Sequence, residues 1–269
     1  MKRALSRLIF ADCLFVLFLS IASLAGGALE WPIYASAFIA PTLIILAFPR
    51  EEDFKISIFS RSSFSALTVS SVFPIIFAIF VISFLTSLVM GAVGIEATVT
   101  DTSGNLLYVI LVSAFAPAVF EEMLFRYLPA RLLGGYSKRL TVIYSTILFA
   151  LAHCNAFQIP YALIAGALFM ALDIATGSIL PSVAVHFINN ILSILWQREG
   201  SENSIFCVIF IISLLILTAI SLFVIYIKRK EIKNELRPIL EDKSKFEFTY
   251  QLGFYIIVMI FLSVSMYIM

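Results

Sequence analysis

The chain has 269 residues, 61% of them hydrophobic and only 13% charged. A soluble domain carries about 25% charged and roughly 45–50% apolar residues, so this composition excludes a soluble globular fold and indicates a polytopic membrane protein. The net charge of +1 says little about partners; no nucleic-acid partner is expected, and the distribution of charge is more informative.

The chain opens with "MKRALSRLIFADCLFVLFLS", a basic start followed by an apolar run. A signal peptide has the same outline. No convincing cleavage site follows and Asp12 interrupts the run, so a retained first helix is expected. A bilayer-spanning helix needs ~20 mostly apolar residues. Nine stretches qualify, at about 8–27, 31–49, 66–93, 105–133, 139–157, 159–176, 178–197, 204–227 and 250–268. The sixth and seventh are short and meet at Thr176–Gly177–Ser178, and a count of eight stays open. The expected fold is all-α, a polytopic transmembrane helical bundle. Three units follow: 1–104 with helices one to three, 105–197 with helices four to seven, and 198–269 with the last two helices. The long polar stretch "KRKEIKNELRPILEDKSKFE", 228–247, is expected to be a cytoplasmic loop lying on anionic lipid. A partner-docking helix is the alternative, and Pro238 would interrupt it.

Cytoplasmic loops carry an excess of Lys and Arg. With the N-terminus inside and the helices alternating, the inner loops hold every basic residue except Arg198. The N-terminus is therefore placed in the cytoplasm, with the C-terminus outside if the ninth helix spans. The expected location is the plasma membrane. Cys13, Cys154 and Cys207 sit in apolar runs, have neither disulfide nor zinc spacing, and are read as small buried hydrophobes.

Few ionisable residues fall within the spans: Asp12, Glu121, Glu122, Arg126, His153, Asp173 and His186. A charge at the bilayer centre costs about 2.5–3.5 kcal/mol on insertion scales, so such groups face a protein interior or a wet cavity. Asp12 and Asp173 are expected at helix ends, interfacial and solvated. Both histidines of the chain lie in spans. Residues four apart share a helix face; Glu122 and Arg126, Phe149 and His153, and His186 and Asn190 are such pairs. Adjacent Glu121 and Glu122 point about 100° apart and cannot do the same job. The economical division has Glu122 pairing with Arg126 while Glu121 points into a cavity. Counted from the inner helix ends, Glu121 is ~18 Å deep, His153 ~21 Å, His186 ~12 Å and Asn190 ~18 Å. Four polar groups from three helices thus share one layer. Pro117 is expected to kink helix four above that layer. Small residues at Ala167, Ala171 and Ala175, and at Ala162 and Gly166, suit close helix approach.

Glu-Glu-x-x-x-Arg at 121–126, Phe-x-x-x-His at 149–153 and His-x-x-x-Asn at 186–190, the last within "GSILPSVAVHFINN", resemble the motifs of the CPBP family, the CAAX protease and bacteriocin-processing group. The resemblance covers about 105–197. It implies an all-helical intramembrane protease core in which Glu121 and His153 activate a water, His186 and Asn190 stabilise the oxyanion, and Glu122 and Arg126 support the site. Amide hydrolysis needs a base for water and donors where negative charge develops, and these residue types supply both. Glu121, His153 and His186 would also serve as ligands of a catalytic divalent metal such as zinc with an open position; His-Glu-x-x-His is absent, and metal-independent water activation is slightly favoured. The expected partners are membrane lipid and a peptide or protein substrate: CAAX-type, a bacteriocin or a signalling peptide. A non-catalytic adaptor or self-immunity protein of the same fold is the alternative, followed by a transporter, for which no internal repeat is found.

Overall fold

The structure, a computed structural model, describes residues 1–25, 30–47, 56–58, 60, 65–95, 104–200 and 203–265. Among these residues it is a bundle of nine continuous helices: α1 (Lys2–Ala25), α2 (Glu30–Leu46), α3 (Ala66–Ala92), α4 (Leu106–Leu133), α5 (Lys138–Ala152), α6 (Ile159–Thr176), α7 (Leu180–Glu199), α8 (Ser204–Leu240) and α9 (Tyr250–Ser265). A single isolated bridge, Ser57 to Ser178, is the one piece of extended pairing among the described residues. The ends expected at 27, 49 and 268, and the loop residues Arg50, Lys55 and Arg61, lie outside the described residues.

α1, α3, α4, α6 and α8 are long and apolar enough to cross a membrane, which makes this an integral membrane protein. α2, α5, α7 and α9 fall short of that length or that hydropathy among the described residues. α5 has 15 residues, about 22 Å of helix, against a hydrocarbon core of about 30 Å. It can be short because its neighbours shelter it: α1, α4, α6, α8 and α9 all pack against it.

The main core runs through α1, α2, α3, α5, α6 and α9 and the inner half of α4. α5 and α6 approach closely at Gly166, where an added Cβ would lie 3.2 Å from Thr146 Cα and 3.3 Å from a Phe149 ring carbon. Ala162 is also buried, whereas the Ala167, Ala171, Ala175 stripe is only half-buried.

Several boundaries and environments differ from the sequence expectation. α1 starts at Lys2 rather than near 8, so Arg3 and Arg7 are helical. α8 runs on to Leu240, so most of the expected loop 228–247 is helix, and Pro238 lies within its last turn without interrupting it. The remainder folds back onto the N-terminus of α5, where Asp242 accepts hydrogen bonds from Ser137 Oγ (2.7 Å) and Arg139 N–H (3.1 Å). Asp12 and Asp173 are not solvated: they are 2% and 0% exposed. Asp12 lies mid-helix in α1 and accepts a hydrogen bond from the hydroxyl of Tyr255 in α9. Asp173 lies one turn before the end of α6, but the start of α7 buries that end.

Candidate active site

α4 carries the glutamates, and its backbone is not regular. Wide π-turns occur at Leu111–Phe115 and Met123–Tyr127. Each stands just before a helical step that leads into a proline, Pro117 and Pro129. A proline ring clashes with the carbonyl four residues back and offers it no N–H; a π-turn is one way a helix absorbs that conflict. The expected kink at Pro117 takes this form. Phe125, four residues before Pro129, has its carbonyl served instead by Ser145 Oγ from α5 and by Arg126 Nη1 at 3.3 Å. The second π-turn begins right after Glu122 and contains Arg126.

The two glutamates differ as their positions require. Glu122 and Arg126 are both 0% exposed, with Arg126 Nε 3.1 Å from Glu122 Oε2. The guanidinium lies 4.2 Å from the Phe149 ring centre and 5.6 Å from that of Phe169, so two aromatic faces from α5 and α6 share its charge. The other oxygen, Glu122 Oε1, is 2.8 Å from His186 Nδ1 on α7. Glu122 therefore ties α4 to α7 as well as bracing its own helix. Glu121, one residue earlier, is partly exposed, and its Oε2 lies 3.9 Å from His186 Nε2.

These contacts set the ring roles. Carboxylate Glu122 can only accept, so His186 Nδ1 is the donor and Nε2 is the atom turned toward Glu121. His153, just past the end of α5, has Nδ1 2.8 Å from the carbonyl of Phe149. A carbonyl also only accepts, so His153 carries its proton on Nδ1 and leaves Nε2 as a base. Glu121 is its leading charged neighbour, followed by His186 and Arg126. The Tyr161 ring stands 6.4 Å away, edge on.

α5 ends here, and Cys154 adopts φ +47°, a left-handed conformation uncommon outside glycine. Asn155 Oδ1 then accepts the Phe157 N–H at 2.9 Å, and α6 begins at Ile159. Asn155 and Gln158 are partly exposed.

The structure brings Glu121, Glu122, Arg126, His153 and His186 together. Asn190 is one turn beyond His186 on α7; its side-chain oxygen accepts from Asn189 Nδ2 at 3.4 Å, and its hydrogen bonds do not extend to the other motif positions. Sequence reasoning misses Ser182, Asp173, Phe169 and Ser145. Ser182 carries a signal: it precedes His186 by four residues. The others are joined to the site only across helices.

Among the described residues, no group of three or more His, Cys, Asp or Glu side chains could hold a metal ion. In this arrangement Glu121, His153 and His186 are not gathered into a three-ligand shell; both histidines engage an oxygen through Nδ1 and keep Nε2 for the site, an orientation that a metal-ligating imidazole shares.

Residues 102–192 match the family described as Type II CAAX prenyl endopeptidase Rce1-like. This segment, about a third of the chain, is similar to that family. The match spans the first part of α4 through most of α7 and includes all three motifs. No curated protein and no solved structure matches the chain.

Proposed function

We propose that this protein is an intramembrane endopeptidase that hydrolyses a peptide bond with a water activated by Glu121 and His153. One observation carries the reading: of two adjacent carboxylates in an apolar layer, Glu122 is fully buried and paired with Arg126 and His186, while Glu121 is partly exposed with Oε2 3.9 Å from His186 Nε2. A carboxylate left open next to an imidazole with a free Nε2 is the arrangement that deprotonating a water needs. The turn after α5, where Asn155 and Gln158 are partly exposed, is the proposed route for water to Glu121.

Glu121 accepts the water proton while His153 Nε2 orients the water. The hydroxide attacks the scissile carbonyl. The developing oxyanion is met by the side-chain amide of Asn190 and by His186 Nε2–H. Because Nδ1–H of His186 is already donated to Glu122, Nε2–H requires the doubly protonated ring. The proton held by Glu121 then passes to the departing amine. Arg126 and Glu122 touch no reacting atom; they hold His186 in orientation. The substrate is a membrane-associated peptide or protein of the CAAX, bacteriocin or signalling-peptide class.

The test is cleavage of a peptide library, including lipidated members, by the protein reconstituted in lipid. Wild type is expected to cleave, while folded Glu121→Ala and His153→Ala do not. Absence of cleavage by wild type on every peptide transfers the weight to a non-catalytic adaptor of the same fold.

A further inference from the structure

The start of α7 is unusual in where its free N–H groups go. Its N-terminal residues provide no side-chain cap of the ordinary kind, yet it begins in a buried place: Ser178 and Ser182 are 0% exposed. The first helical residue, Leu180, gives its N–H to Ser178 Oγ at 3.2 Å. Pro181 has none to give. Ser182 gives its N–H to Asp173 Oδ1 at 3.2 Å, and its hydroxyl is 2.7 Å from Asp173 Oδ2. Asp173 belongs to α6, so one helix caps another. A carboxylate at a helix N-terminus also complements the helix dipole. The turn between the two helices is clamped further: Ser57 exchanges backbone hydrogen bonds with Gly177 and Ile179 at 3.0 Å each, and Ser178 Oγ donates to the Ile58 carbonyl at 2.7 Å.

Ser182 is one turn before His186 and on the same face, and it also faces Glu122. The carboxylate of Asp173 therefore sets how far α7 slides along α6, and that distance sets whether His186 Nδ1 reaches Glu122 at 2.8 Å.

We propose that Asp173 is a positioning residue of the site: by capping α7 from α6 it fixes the register of His186 against Glu122. This rests on the proposed hydrolysis for its kinetic readout, but not for its structural one. The chain has two histidines, so protein labelled with 15N-histidine in lipid nanodiscs gives signals from two rings, assigned with a His153→Gln variant. In wild type the His186 Nδ1 signal is expected to be that of a nitrogen hydrogen-bonded to a carboxylate.

Asp173→Leu, which matches the side chain in size and cannot accept, is expected to move that signal toward an unbonded imidazole. With a peptide substrate it is expected to lower kcat by about 10- to 100-fold, the usual consequence of a displacement near 1 Å, with KM unchanged. Asp173→Asn keeps an oxygen for the Ser182 N–H and is expected to restore both. If Asp173→Leu does not fold, Asp173→Ala takes its place. An unmoved His186 signal with unchanged kcat in the folded Leu or Ala variant overturns the proposal, as does failure of folded Asp173→Asn to restore the signal. If wild type cleaves nothing, the proposed function fails and the histidine signals alone decide the positioning role.

Discussion

The buried pair at the centre of the site predicts a specific pattern of coupling. Arg126 and Glu122 are 3.1 Å apart and completely buried. At an effective dielectric near 20, two unit charges at that distance attract by about 5 kcal/mol, and breaking one partner of a buried pair costs about 3–5 kcal/mol because the other is left uncompensated. Arg126→Met keeps the stem between Phe149 and Phe169 but strands the Glu122 carboxylate; its expected loss is about 3–5 kcal/mol. Glu122→Gln strands the guanidinium and is expected to lose a similar amount. The double variant removes both charges, keeps an oxygen for His186 Nδ1–H, and is expected to lose only about 0–2 kcal/mol, since replacing a whole buried pair by neutral groups is often tolerated. Equilibrium unfolding in mixed micelles measures all three. Losses that simply add, giving a double variant at about 6–10 kcal/mol, would refute the claim that the two charges neutralise each other. The double variant is nevertheless expected to be slow as an enzyme, because a neutral amide oxygen holds the histidine less firmly than a carboxylate does.

Two further predictions concern the frame. Gly166→Ala puts a methyl against the Thr146 backbone and the Phe149 ring; backbone cannot yield as a side-chain tip can, so a loss of about 1–3 kcal/mol is expected, and the thermal midpoint in detergent reads it. Asp242 caps α5 at the membrane surface: partial burial works against its ionisation, but hydrogen bonds from Ser244, Ser137 and the Arg139 N–H outweigh this and hold its carboxyl well below the usual carboxylate range. A depressed folded-state value means its contribution is full above the unfolded carboxylate value of about 3.9 and fades as pH falls below it. The stability gap between wild type and Asp242→Asn is therefore expected to be constant from pH 7 to about 5 and to close toward pH 2; a constant gap throughout would contradict the assignment.

Much of the frame can be read from the chain because apolar run length and polar interruptions mark the helices directly. The Glu122–Arg126 contact is legible from its spacing on one helix. The tie from Glu122 to His186 is not, because 64 residues separate them and spacing says nothing about partners on other helices. Asp173 misleads for a related reason: it stands near a helix end, and helix ends normally meet water, but this one meets the start of α7. The apolar run overstates the length of α5 because the residues after His153 are nearly as apolar as those before it; only Cys154 at positive φ and the turn at Asn155 end the helix. Pro117 signals a perturbation of α4, but the π-turns that absorb it depend on how the neighbouring helices serve the released carbonyls.

The division of labour between adjacent carboxylates is the central claim, and one comparison tests it most directly: kcat and thermal midpoint of Glu121→Gln beside wild type in the same lipid, with cleavage sites mapped by mass spectrometry. Glu121 is partly exposed and its nearest ionic partner, His186, is 3.9 Å away, so the midpoint is expected to stay where it is while kcat falls by about 10²- to 10⁴-fold, the range of a lost general base. Undiminished cleavage by folded Glu121→Gln would contradict the account.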